Sequence, residues 1–137
     1  MPNLFTYGTL MEAQVFIAVT EFHPVMATAK LFGYQRFAFA GECYPGIVAG
    51  DISHFVVGRL IKNVPVGVLQ RLDDYEGDMY ARQEVMVEIE SDDDTNLERV
   101  KAETYVVRAQ FEHKLAHHDW DFEYFRNHHL EQYLGRS

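Results

Sequence analysis

The chain has 137 residues, 47% of them hydrophobic, with ten Phe, eight Tyr and one Trp. That length suits one domain with a single core, and residues 1–137 are expected to form one. Its 21 acidic against 12 basic side chains leave a net charge of −9, and without a Lys/Arg stripe to neutralise phosphates the composition argues against a nucleic-acid partner. No apolar run approaches the roughly 20 residues that cross a bilayer, the start lacks the basic and apolar regions of a secretory signal, and Cys43 is the single thiol. A soluble protein of the reducing cytoplasm, with no membrane partner and no intrachain disulfide, is expected.

Leu4-Phe5-Thr6-Tyr7 is a run of strand formers ending at Gly8. Leu10, Met11, Ala13, Val15, Phe16, Ile17 and Val19 then fit a helix buried on a broad face, with Thr9 where an N-cap side chain would sit. Alternation from Val25 to Phe32 predicts a strand carrying Val25, Ala27, Ala29 and Leu31 on one face. After Gly33-Tyr34 and the aromatic stretch Phe37-Ala38-Phe39, Cys43 to Val48 turns the chain, and Gly41 to His54 is expected to be mostly loop.

Phe55 to Ile61 reads as another strand. Pro65 followed by Val68, Leu69, Leu72 and Tyr75 has helical spacing, with Pro suited to the first turn and Gly77 to the end. From Tyr80 to Glu90 the apolar Val85, Val87 and Ile89 alternate with Glu84, Met86, Glu88 and Glu90, the clearest strand in the chain. A polar turn from Ser91 to Asn96, read as a solvated acidic loop, joins it to Glu98 through Val107 in an antiparallel hairpin. Asp121 can cap a last helix, in which Phe122, Phe125, His129, Leu130 and Tyr133 recur near helical spacing and pack against the sheet. The sum is an α+β domain of about six strands with two or three helices.

Two stretches carry candidate chemistry. Tyr7-Gly8-Thr9-Leu10 leads from a strand into a helix, so unpaired backbone N–H groups point outward and can bind a carboxylate or oxyanion; the same four residues also suit an ordinary strand-to-helix turn. Leu72 to Arg82 crowds Asp73, Asp74, Glu76 and Asp78 together. Placed at the negative end of a helix dipole among Asp neighbours, Glu76 would resist ionisation, which suits a general base near neutral pH. Composition alone reads an exposed acidic helix end. Tyr80 and Arg82 project from one strand face and could orient a polar ligand, or Arg82 could simply pair with a nearby Asp.

His113 and His117 have i, i+4 spacing without a HExxH pattern, so no metal is expected. Cys43 reads as a nucleophile if a His stands beside it and otherwise as a small buried hydrophobe. No GxSxG elbow, P-loop or GxGxxG fingerprint occurs.

Together, Leu4-Phe5-Thr6-Tyr7-Gly8-Thr9-Leu10 and Leu72-Asp73-Asp74-Tyr75-Glu76-Gly77-Asp78-Met79-Tyr80-Ala81-Arg82 resemble the gamma-glutamylcyclotransferase-like superfamily. Tyr44-Pro45-Gly46-Ile47 resembles its Tyr-Pro turn, and the ending Trp120-Asp121-Phe122-Glu123-Tyr124-Phe125 with His128-His129-Leu130 is similar to the avirulence-induced-gene branch. The resemblance covers nearly the whole chain. It implies a small, closed or nearly closed mixed β-barrel flanked by helices, with a polar cavity at one end. It also implies an enzyme that needs no cofactor, acts on a small-molecule gamma-glutamyl substrate and releases 5-oxoproline and an amine. By this resemblance Tyr7, Gly8, Thr9 and Leu10 bind substrate, Glu76 accepts the proton, and Tyr80 and Tyr105 line the cavity. The amine half of the substrate and the oligomeric state are not readable from the sequence.

Overall fold

The computed structural model describes residues 1–90 and 96–135. Among these residues seven strands form: β1 (Leu4–Thr6), β2 (Met26–Phe32), β3 (Tyr34–Ala38), β4 (Pro45–Ala49), β5 (Phe55–Ile61), β6 (Tyr80–Glu90) and β7 (Leu97–Val107). Four α-helices accompany them, α1 (Ala13–Thr20), α2 (Val66–Glu76), α3 (Phe122–His128) and α4 (Leu130–Tyr133), with 3₁₀ turns at Thr9–Met11 and Ala109–Lys114. Among the described residues no helix is long and apolar enough to cross a membrane.

Five strands close a barrel in the order β1-β5-β2-β6-β7. All its pairings are antiparallel except the closing contact of β1 with β7. The β6–β7 hairpin runs from Tyr80 opposite Val107 to Glu90 opposite Leu97, and Val85, Val87 and Ile89 are buried as their alternation predicts. Of the acidic turn read from Ser91 to Asn96, residues 91–95 lie outside the described residues. Phe5, Leu31, Leu60 and Val87 belong to one buried apolar cluster. A second cluster joins β1 and β5 to the helices through Phe16 of α1, Leu72 of α2 and Phe125 of α3. Each such fully buried side chain contributes on the order of 1.5–3 kcal/mol relative to exposure.

The α+β barrel agrees with the expectation, while several details differ. The barrel has five strands rather than about six, because β3 and β4 pair separately as a two-stranded ribbon. Strand β4 lies where a loop is expected, since Pro45-Gly46 reads as a turn. Pro is tolerated at the first residue of an edge strand, and Pro45 opens β4 opposite Ala38. Of the four residues read onto one face of this strand, Ala29 and Leu31 are buried, whereas Ala27 is exposed and Val25 lies exposed just before β2. The reason is overhang: β2 meets β6 only at Ala29 and Lys30. The helix read from Leu10 is broken at Glu12, whose backbone is extended. The C-terminal helix is likewise split, at His129.

Candidate active site

Helix α2 positions the central carboxyl. Val68, Leu69 and Leu72 bury one face of it, and Gly77 ends it with φ 74°, a left-handed value that a side chain would strain. The Gly77 N–H closes the last turn on the Asp73 carbonyl at 3.1 Å. Glu76 is thereby the last helical residue, directly before the chain bends into β6.

At this end of the barrel lies a cavity of ≈ 180 Å³. Tyr7, Gly8, Thr9 and Leu10 line it together with Glu76, Tyr80 and Tyr105, so all seven site residues named from the sequence meet in one space. Sequence reasoning did not find Tyr75, Met79 and Tyr133, which also line it. Tyr44 and Pro45 were visible only as a family-like turn. For Tyr133 the available signal was its place on the apolar face of the last helix, read as packing alone.

Among the described residues Glu76 is the only charged side chain in that lining. Enclosure raises its pKa to about 8, because removing water penalises the carboxylate more than the neutral acid. The direction matches the sequence reading but the cause differs: burial, rather than the helix dipole or Asp neighbours, shifts it. Those neighbours are directed elsewhere. Asp74 and Asp78 are exposed, and Asp73 pairs with Arg82 at 3.1 Å while accepting a 2.7 Å hydrogen bond from the Tyr105 hydroxyl. Among the described residues the Glu76 carboxyl has no hydrogen-bond or ion-pair partner, which leaves it free for a ligand.

Phenols make up much of the remaining wall. Tyr7 donates to the Tyr105 carbonyl at 2.6 Å and Tyr80 to the Pro45 carbonyl at 2.7 Å. Burial first, and then negative charge nearby, including that of Glu76, pushes both hydroxyls up from their ordinary pKa. Burial also pushes up Tyr105. They remain neutral donors.

Thr9 does not cap a helix. Its hydroxyl lies 3.0 Å from the Tyr75 hydroxyl, which in turn hydrogen-bonds the Tyr133 hydroxyl. The short turn after Gly8 is closed instead by Met11 N–H on the Gly8 carbonyl at 2.9 Å, and the first N–H groups of such a turn have no intrahelical acceptor. Gly8 is needed for packing, since a Cβ there would stand 2.9 Å from the Pro45 ring. Arg36 holds the loop from outside, donating to the Tyr7 carbonyl at 2.9 Å and to the Asp119 carboxylate at 2.8 Å.

The remaining candidates have other surroundings. Arg82 is engaged by Asp73 and Glu103 and borders a separate polar groove, of which Tyr80 and Tyr105 form the shared wall. Burial raises the Cys43 thiol, opposite to the activation a nucleophile needs. His113 and His117 are exposed, and among the described residues no three His, Cys, Asp or Glu side chains converge as a metal site would require.

A five-stranded barrel that opens on a phenol-lined cavity holding one carboxyl among the described residues defines the class: a small α+β barrel with a carboxyl in its pocket. The family model described as "Gamma-glutamyl cyclotransferase, AIG2-like" matches residues 4–122. An Arabidopsis thaliana protein named Protein AIG2 C is 36% identical over 132 residues, spanning 96% of this chain and 76% of that one. A solution structure of an Arabidopsis thaliana protein aligns with a TM-score of 0.71 at 33% identity, covering 98% of this chain and 78% of the solved chain. A solved gamma-glutamyl cyclotransferase shares the fold at TM-score 0.64 and 16% identity, covering 78% and 66% of the two chains. The chain belongs to the gamma-glutamyl cyclotransferase, AIG2-like family.

Proposed function

We propose that the protein is a cyclotransferase for a small gamma-glutamyl compound, with Glu76 as its general base. The free α-amine of the gamma-glutamyl group attacks its own γ-carbonyl. A new N–C bond closes the five-membered ring, the original amide C–N bond breaks, and 5-oxoproline and an amine leave. No water is consumed. Glu76 takes the proton lost by the attacking amine and returns it to the departing nitrogen, so one carboxyl serves both steps.

The observation that carries this reading is the enclosed, partnerless Glu76 carboxyl in the same cavity as the Tyr7 to Leu10 loop. A pKa of about 8 gives the carboxylate enough basicity to take a proton from an ammonium-derived amine near neutral pH. The loop N–H groups of Thr9 and Leu10 suit the substrate α-carboxylate or the oxyanion formed at the γ-carbon. The neutral phenols of Tyr7, Tyr80 and Tyr105 restrict the folded geometry that ring closure needs. Gly8, held against Pro45, keeps the loop backbone close to the cavity.

Incubation with a panel of gamma-glutamyl amides and dipeptides, followed by product analysis, tests the proposal. Release of 5-oxoproline equimolar with the amine is expected. Free glutamate would instead identify an amide hydrolase, and tight binding without either product a non-catalytic binder.

A further inference from the structure

The C-terminal segment from Asp119 onward, most of it beyond residue 122 where the family match ends, packs against the Tyr7 to Leu10 loop and the turn after it. Asp119 reaches the Tyr7 carbonyl through Arg36. Glu12, buried just after the Thr9–Met11 turn, pairs with Arg126 of α3 at 3.0 Å. Phe122 has the Arg59 and Arg126 guanidinium groups each 5.3 Å from its ring centroid, and Arg59 donates to the Met11 carbonyl at 2.6 Å. From α4, Tyr133 packs edge-on against Phe125 with ring centroids 5.3 Å apart and joins the hydroxyl chain through Tyr75 to Thr9.

Tyr133 also lines the cavity itself. The lining divides by depth: Tyr7, Thr9, Leu10, Tyr80 and Tyr105 are buried, whereas Tyr44, Tyr75, Glu76, Met79 and Tyr133 are half-buried. If cyclisation is the reaction, the glutamyl end enters first, against the buried phenols and the Thr9-Leu10 backbone, which brings its α-amine to the Glu76 carboxyl at the boundary of the two zones. The other half of the substrate then trails past the half-buried residues. Of these, Tyr133 has its ring held by Phe125 and its hydroxyl by Tyr75, so it cannot swing aside without breaking both contacts.

We propose that Tyr133 is a specificity-determining residue, the fixed wall that limits the bulk of the amine half of the substrate. This rests on the cyclotransferase reading. A cavity of ≈ 180 Å³ is smaller than the roughly 300–1,000 Å³ of pockets for drug-sized ligands, so a fixed ring at its rim excludes a bulky amine by contact.

The test compares kcat/KM for gamma-glutamyl-methylamide and gamma-glutamyl-cyclohexylamide in the wild type, Tyr133→Ala and Tyr133→Phe. Tyr133→Ala is expected to raise the cyclohexyl-to-methyl ratio by about ten-fold or more, the discrimination that small steric differences provide. Tyr133→Phe keeps the ring and should leave the ratio unchanged while lowering both rates a few-fold through loss of the hydroxyl chain. A general loss of fold or loop order would lower both substrates together and leave the ratio where it was. An unchanged ratio in Tyr133→Ala therefore overturns the assignment, and Tyr133→Leu carries the same expectation if the Ala variant does not fold. The dissociation constants of both amides, measured calorimetrically in Glu76→Gln with and without Tyr133→Ala, separate the two proposals. Absent turnover in the wild type with the expected change in the binding ratio would overturn cyclisation and keep the wall. Failure of the methylamide to bind would overturn both.

Discussion

Two regions meet at the wall formed by Tyr80 and Tyr105, and they handle carboxylates in opposite ways. On one side, Glu76 stands alone among phenols, and enclosure lifts its pKa to about 8. On the other, the groove holds Asp73, Asp74, Asp78 and Glu103 together with Arg82 and Arg108. There Arg82 bridges Asp73 and Glu103, while Asp74 and Asp78 face solvent. Asp73 and Glu76 are three residues apart on one helix. Crowding of acids along the sequence therefore does not single out the carboxyl with the raised pKa; burial without a neighbouring cation does.

The largest effect that can break this comparison comes from Glu76→Gln. The amide keeps the shape of the side chain and cannot accept a proton, so turnover should fall about 10² to 10⁴-fold while substrate binding and fold persist. Steady-state rates together with calorimetric binding measure both halves of that expectation.

Stability should report the same enclosed carboxyl. A folded-state pKa of about 8 lies above the ordinary carboxylate value near 4.3, so between those values the native state binds more protons than the unfolded chain. Stability is then lost as pH rises through that window, by at most about 1.4 kcal/mol per pH unit from this group. Denaturant unfolding from pH 5 to 8.5 should show the loss in the wild type and a flatter curve in Glu76→Gln.

Asp73→Asn sharpens the contrast with a smaller effect. It weakens the pairing to Arg82 and the hydrogen bond from Tyr105 without touching the Glu76 carboxyl. A decrease in kcat/KM of about ten-fold or less is expected, on the scale of one hydrogen bond to a charged group. Smallest of all, Asp74→Asn and Asp78→Asn should stay within about two-fold of the wild type, because exposed charges are screened by water and salt. A loss from either as large as that from Glu76→Gln would erase the distinction between groove and cavity.

Much of the barrel was legible because a half-buried strand writes its inner face at period two, as Val85, Val87 and Ile89 do in β6. Strand β4 was not, because Pro45 and Gly46 carry turn propensity and only tertiary pairing with β3 makes them a strand. The Tyr7 to Leu10 loop and Glu76 were legible as local motifs and by resemblance. The cause of the carboxyl's shift was not, since it depends on how far water is excluded by residues remote in sequence. Tyr133 and Arg36 were missed for the same reason: neither lies in a motif, and each acquires a place at the site only when the C-terminal segment folds back over the loop.

The central claim, that the enclosed Glu76 carboxyl is the base of cyclisation, is tested most directly by the pH dependence of 5-oxoproline release in the wild type and Glu76→Gln. Because kcat/KM reports ionisations of the free enzyme, the wild-type value should rise with pH and level off near the Glu76 pKa of about 8, and Glu76→Gln should be slow and lack that rise. A Glu76→Gln variant that keeps both the rate and the rise would contradict it.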